Sequence, residues 1–173
     1  MTGITLRAAT PADIPALAAL GRGSFVAHFG QLYRPEDLAA FLAESYSEAA
    51  FAAELANPAR LYQLAERAGT LAAFCKLGLT CGFPAHARGK HVLELKQLYA
   101  AADATGSGVG AALMAWAMGE FGARGADEVQ ISVYSENYGA QRFYARYGFE
   151  KIADITFKVG QQLDPEFLFA KLF

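Results

Sequence analysis

The sequence predicts an α/β fold in which one mixed sheet carries helices on both faces. Three observations predict it. Segments that read as strands alternate along the chain with segments that read as helices, in the order strand, helices, hairpin, long strand, helix, strand, helix, two strands. A glycine turn, Thr105-Gly106-Ser107-Gly108-Val109-Gly110, joins a strand to a strongly apolar helix. Finally, 54% of the 173 residues are hydrophobic, ample for one sizeable core, so residues 1–173 are read as a single domain.

Composition also excludes function classes. A net charge of −2 gives no extended electrostatic footprint for DNA or RNA, so nucleic acid is not expected as a partner. The two cysteines, Cys75 and Cys81, are too far apart for a C-x-x-C redox or zinc pair, which fits a reducing, cytoplasmic setting. The three histidines, His28, His86 and His91, lack ligand spacing, and no metal is expected. The N-terminus shows no basic region followed by an apolar run, and no stretch is apolar enough to span a bilayer, so neither a leader nor a membrane partner is expected.

Each element has a local reason. Ile4, Leu6 and Ala8 alternate with Thr5 and Arg7 as in a half-buried strand. Thr10 then offers an N-cap with Pro11 at the first helical position, and the helix is expected to reach about Gly21, where Gly21-Arg22-Gly23 weakens it before the aromatic segment Ser24 to Phe29. Arg34-Pro35-Glu36-Asp37 starts a second helix with acidic residues at the positive end of its dipole, and Ser47 caps a third that Asn57-Pro58 ends. Leu61 to Glu66 and Thr70 to Thr80 form a hairpin about Arg67-Ala68-Gly69; its second arm is almost continuously apolar, which suits Cys75 as a small core hydrophobe. Gly82 to Gly89 is a loop that either borders a cleft or simply connects. After a strand from His91 to Tyr99 comes the glycine turn, then a helix from Val109 to about Phe121 that is apolar on nearly every side. Glu128 to Val133 is a strand. Asn137 caps a helix ending near Tyr147 with Gly148 beyond it, and Phe149 to Val159 and Glu166 to Leu172 complete a strand pair.

A strand that runs through glycines into a helix N-terminus leaves backbone N–H groups unpaired and adds partial positive charge, a geometry suited to a diphosphate. The turn by itself is equally a capping turn, since its G-x-G-x-G spacing matches neither a Walker A loop nor the dinucleotide fingerprint. It is followed by Asn137-x-x-Ala140-x-x-Phe143-Tyr144-x-x-x-Gly148-Phe149. Together the two motifs resemble the acyl-CoA signature of the GNAT acyltransferase superfamily, whose turn [QR]-x-x-G-x-[GA] falls on Thr105 to Gly110 with Gly108 and Gly110 in the glycine positions. Thr105 departs from that pattern and removes one long polar side chain from the diphosphate.

The resemblance implies a mostly antiparallel central sheet whose fourth strand splays from its neighbour, and acetyl-CoA as cosubstrate. It places the coenzyme on Leu98, Tyr99 and Ala100 through strand-like backbone pairing, on Thr105, Gly106, Ser107, Gly108, Val109, Gly110 and Ala111 through the turn, and on Asn137 and Tyr144. Tyr144 would protonate the departing thiolate; from its helical stripe alone it reads as a core tyrosine. Asn137 serves equally as an N-cap. The acceptor amine is protonated at neutral pH and needs a base. Glu94 is the candidate, four residues before Leu98 and on the same face of a regular strand, its alternative being an ion pair with Lys96. The segments Ser24 to Phe29, Tyr33 to Leu38, Phe41 to Ser45 and Leu93 to Tyr99 resemble the polyamine (spermidine/spermine-type) N-acetyltransferase branch, in which Glu36, Asp37, Glu44 and Glu94 would attract a polycation. The expected activity is direct acetyl transfer to a small-molecule primary amine in a ternary complex, by a monomer or homodimer. A non-catalytic acyl-CoA-binding module is the alternative.

Overall fold

A computed structural model describes residues 3–173; Met1 and Thr2, part of the single-domain span read above, lie outside the described residues. Seven strands form one sheet: β1 (Ile4–Ala8), β2 (Arg60–Arg67), β3 (Thr70–Gly78), β4 (Val92–Ala100), β5 (Glu128–Tyr134), β6 (Glu150–Val159) and β7 (Gln162–Leu172). Their spatial order is β1-β2-β3-β4-β5-β7-β6, antiparallel everywhere except between β4 and β5. Five α-helices cover it: α1 (Ile14–Phe29), α2 (Pro35–Ser45), α3 (Glu48–Ala56), α4 (Val109–Ala123) and α5 (Tyr138–Ala145).

The sheet separates two apolar layers. Beneath α4 lie Leu113, Met114, Ala117 and Phe121, fully buried against Leu77, Leu95 and Val129. Each large side chain in that layer contributes about 1.5–3 kcal/mol of burial. On the opposite face α1, α2 and α3 bring Leu17, Phe25, Leu42, Tyr46 and Phe51 onto Tyr62, Leu64 and Phe74. The aromatic residues here interlock; Phe25 lies 4.8 Å from Phe41 and 5.5 Å from Tyr46, centroid to centroid.

Three local features differ from the sequence reading. The first helix does not stop near Gly21 but continues to Phe29. Gly21 is buried beneath α3, and a Cβ there would sit 2.8 Å from Tyr46 Cδ1 and 3.1 Å from Phe51 Cζ, so this glycine is a packing notch rather than a terminator. Strand β7 starts four residues earlier than expected and runs through Pro165, which pairs with Thr156. The third difference is a bulge in β4: Leu77 faces Leu95 and Lys76 faces Gln97, leaving Lys96 as an extra residue.

That bulge changes which side chains share a face. Leu93, Leu95 and Leu98 all join the layer beneath α4, whereas Tyr99 belongs to the opposite layer. A regular strand would align Glu94 with Leu98. With one extra residue between them, Glu94 instead points to the α1–α3 side, away from Leu98.

The loop from Gly82 to Gly89 resolves as a connection. Buried Glu128 accepts from the backbone N–H groups of Arg88 and Gly89, both at 2.7 Å, and Asp127 accepts from those of Lys90 (2.9 Å) and His91 (2.8 Å).

Candidate active site

Strands β4 and β5 pair only from Val92–Glu128 to Glu94–Gln130 and then diverge. From Leu95 onward the β5-facing edge of β4 therefore has no strand partner, and a gap opens in the middle of the sheet. Ala101 N–H donates to the Ala72 carbonyl on the β3 side (2.8 Å). Backbone groups alternate along a strand, so the amides of Ala100 and Leu98 point the other way, into the gap.

A cavity of about 690 Å³ occupies this gap and reaches both faces of the sheet. That volume lies within the range of small-molecule sites. On the α4–α5 side its walls are Leu98, Ala100, Thr105, Val133, Asn137 and Tyr144; on the α1–α3 side they include Phe25, Phe29, Tyr33, Tyr99, Tyr134 and Glu166.

The glycine turn meets the α4–α5 side of the cavity at Thr105. Gly106 (φ 78°) and Gly108 (φ 93°) both adopt the left-handed region that favours glycine. The first α-helical bond of α4 runs from Ala112 N–H to the Gly108 carbonyl (3.0 Å), which leaves the N–H groups of Val109, Gly110 and Ala111 without helical acceptors. Ser107 is turned inward, its hydroxyl donating to the Ala104 carbonyl at 2.5 Å. Thr105 reaches only the Ala101 carbonyl, at 3.4 Å. The turn can thus hold an anion through backbone N–H groups and the α4 dipole, with no cationic side chain of its own.

Asn137 caps α5 by accepting from Ala140 N–H (3.1 Å), leaving its amide NH₂ for a ligand. Two turns on, Tyr144 packs against Phe143 and Phe149 with only 6% of its surface exposed. Burial raises its pKa well above the ordinary phenol value, so the hydroxyl stays protonated at neutral pH and can donate. The cavity wall includes this residue.

Glu94 is placed differently. It is buried at 6% exposure and bound to Lys96 Nζ at 3.0 Å, and a Cβ on Gly82 would collide with its carboxylate. It does not line the cavity, whereas Lys96 and Gln97 do. Of the other carboxylates expected to attract a polycation, Glu36 and Asp37 both face Arg34, at 3.7 Å and 2.8 Å. Glu44 remains at the cavity rim.

The structure adds carboxylates that the sequence reading did not single out. Asp164 and Glu166 on β7 both line the cavity. Asp164 is buried and accepts from the Tyr33 hydroxyl and from Gln162 Nε2 (3.1 Å). Burial raises the Glu166 pKa above the usual carboxylate value, against a hydrogen bond from Ser132. Their signal was the period-2 pattern Asp164-x-Glu166-x-Leu168, which sets two carboxylates on one strand face, but Pro165 broke the apparent strand. Among the described residues no cluster of His, Cys, Asp and Glu could hold a metal ion, and no helix is long and apolar enough to cross a membrane.

Comparison with known proteins agrees with this fold. The profile of the acetyltransferase (GNAT) family matches residues 26–149. An uncharacterized N-acetyltransferase of the pepI 3′ region of Lactobacillus delbrueckii subsp. lactis is 26% identical over 99% of this chain and 98% of its own. An uncharacterized N-acetyltransferase of Mycobacterium tuberculosis is 29% identical over 92% of this chain and 97% of its own. Among solved structures, PaiA N-acetyltransferase from Thermoplasma acidophilum in complex with coenzyme A superposes with a TM-score of 0.78, at 22% identity and over 98% and 99% of the two chains.

Proposed function

Since the chain belongs to the GNAT acetyltransferase family, we propose that it moves the acetyl group of acetyl-CoA directly to a small-molecule primary amine bound across the sheet from the coenzyme. The carrying observation is the cavity between β4 and β5, which reaches the glycine turn at Thr105 on one side of the sheet and an aromatic, acidic chamber on the other. In this reading the diphosphate rests on the N–H groups of Gly108, Val109, Gly110 and Ala111, with Thr105, Gly106 and Ser107 shaping the approach. The pantetheine arm pairs with Leu98 and Ala100 as an added strand and meets the Asn137 amide, while Tyr99 faces the acceptor. A β4 amide polarises the thioester carbonyl.

Tyr144 then donates its proton to the departing coenzyme A sulfur. No covalent enzyme intermediate is needed: Cys75 is fully buried with its thiol pKa raised by burial, so it is a poor nucleophile. Two free thiols go with a cytoplasmic setting. A polyamine acceptor is the narrower reading. It draws on Glu44, Asp164 and Glu166 in the chamber, but Lys76 and Lys96 also line it, so amines with fewer charges fit as well.

The test is release of coenzyme A thiol from acetyl-CoA with a panel of primary amines that includes spermidine, aralkylamines and amino acids. Amine-dependent release above background is the expected result. Binding of acetyl-CoA without release across the panel would leave a non-catalytic acyl-CoA-binding module.

A further inference from the structure

We propose that Glu166 is the catalytic base that takes the proton from the acceptor's ammonium group. The inference rests on the acetyltransferase reading above and adds the residue that reading lacks. Three observations lead to it. Glu166 lines the cavity and lies on β7, whose Glu166 pairs with Tyr134 of β5, the strand that forms the far wall of the gap. Alternation puts it on the same face as Ser132, Tyr134 and Asp164, the α1–α3 side, across the sheet from the glycine turn.

Its carboxylate also lacks an ion pair, its hydrogen bond coming from the neutral Ser132 hydroxyl. No cation pairs with it among the described residues, in contrast to Glu54, which Lys76 and Arg60 hold, and to Glu94 with Lys96. Asp164 is occupied by Tyr33 and Gln162. Finally, its surroundings suit a proton acceptor, because burial raises its proton affinity, and a carboxylate shifted toward neutral pH is a better base than a solvated one. The groups that face it are Ser132 and Tyr134 from β5, Tyr99 from β4, Tyr33 beyond α1, and Asp164 on its own strand, with His28 and Glu44 in the same chamber. The groups facing it directly are thus hydroxyls and one carboxylate, while Lys76 and Lys96 line the same cavity without pairing with it.

The proton path closes. Glu166 accepts one proton from R–NH₃⁺ and becomes the neutral acid. The freed amine attacks the thioester carbonyl carbon, forming the C–N bond and a tetrahedral oxyanion. Collapse breaks the C–S bond, the sulfur leaves with the bonding electrons and takes the Tyr144 proton, and the nitrogen sheds its extra proton to the tyrosinate. Acetamide and coenzyme A thiol result, and Glu166 returns its proton to water.

The experiment measures kcat/KM against pH for the full chain and for Glu166→Gln, Glu166→Asp and Glu94→Gln, with an amine that the wild type acetylates. Glu166→Gln is expected to lower kcat/KM by about 10²- to 10⁴-fold and to flatten the acid limb of the profile. Acetyl-CoA affinity and melting temperature should hold, the latter because a half-buried carboxylate is exchanged for a neutral isostere. Glu166→Asp should keep the limb at reduced rate, and it decides the question if the glutamine variant does not fold. A Glu166→Gln rate within a few-fold of wild type, an unchanged acid limb, or loss of that limb in Glu94→Gln instead would overturn the assignment while leaving acetyl transfer intact. A wild type that releases no thiol with any amine would overturn both.

Discussion

At Tyr144 the proposed chemistry turns on a single atom. Its ring belongs to the layer beneath α4, and its hydroxyl is the feature that Phe143 beside it lacks. Tyr144→Phe should therefore keep a near-native melting temperature and acetyl-CoA affinity while kcat falls by about 10²- to 10⁴-fold, measured by thiol release. Unchanged kcat with a lower melting temperature would make it a core residue only. The turn glycines divide in a similar way. Gly108 holds φ 93°, so Gly108→Ala should cost about 1–2 kcal/mol of stability by denaturant titration, besides weakening coenzyme binding. Gly110 has no such conformation, and a Cβ there would make only ordinary contact with Phe143 at 3.7 Å. Gly110→Ala should thus leave stability equal or higher, since glycine is the poorer helix former. A weaker acetyl-CoA affinity in that variant, read by calorimetry, would isolate close backbone approach from folding.

At the level of elements, the sequence revealed what local chemistry dictates and concealed what long-range packing decides. The turn, the Asn137 cap and the apolar helix α4 were legible because each carries its own pattern of glycine, polar cap or periodic hydrophobes. The length of α1 was not, because Gly21 reads as a breaker until Tyr46 and Phe51 are seen pressing on it. Gly21→Ala should accordingly lower stability despite better helix propensity, by about 1–3 kcal/mol if the aromatic rings cannot move aside, with a lower melting temperature as the readout. The β4 bulge was equally hidden. Nothing local to Leu93-Glu94-Leu95-Lys96-Gln97-Leu98 announces that Lys96 is an extra residue; pairing with β3 settles it. That one shift separates Glu94 from the cavity, and the missed start of β7 hid Asp164.

Across the whole molecule, element order was sufficient to give a mixed sheet with two helical layers, but not the strand order that sets β5 beside β4 and β7. The outer edge has its own tie. Arg7 on β1 forms a fork to Asp13 (2.7 and 2.8 Å) and reaches Glu66 on β2 (2.7 Å). The Arg7 hydrogen bonds hold the Asp13 carboxyl well below the ordinary range, so their contribution is fully present above the unfolded pKa, about 3.9, and is lost as pH falls toward the folded value. Asp13→Asn should lower the melting temperature at neutral pH, and its deficit should shrink in acid below about pH 4. The opening between β4 and β5 bears on traffic as well as on chemistry. Because the turn and the acidic chamber lie on opposite sides of the sheet, neither ligand has to pass through the seat of the other. Steady-state kinetics should then show random entry: intersecting double-reciprocal lines, with desulfo-coenzyme A competing against acetyl-CoA alone and an inert amine competing against the acceptor alone.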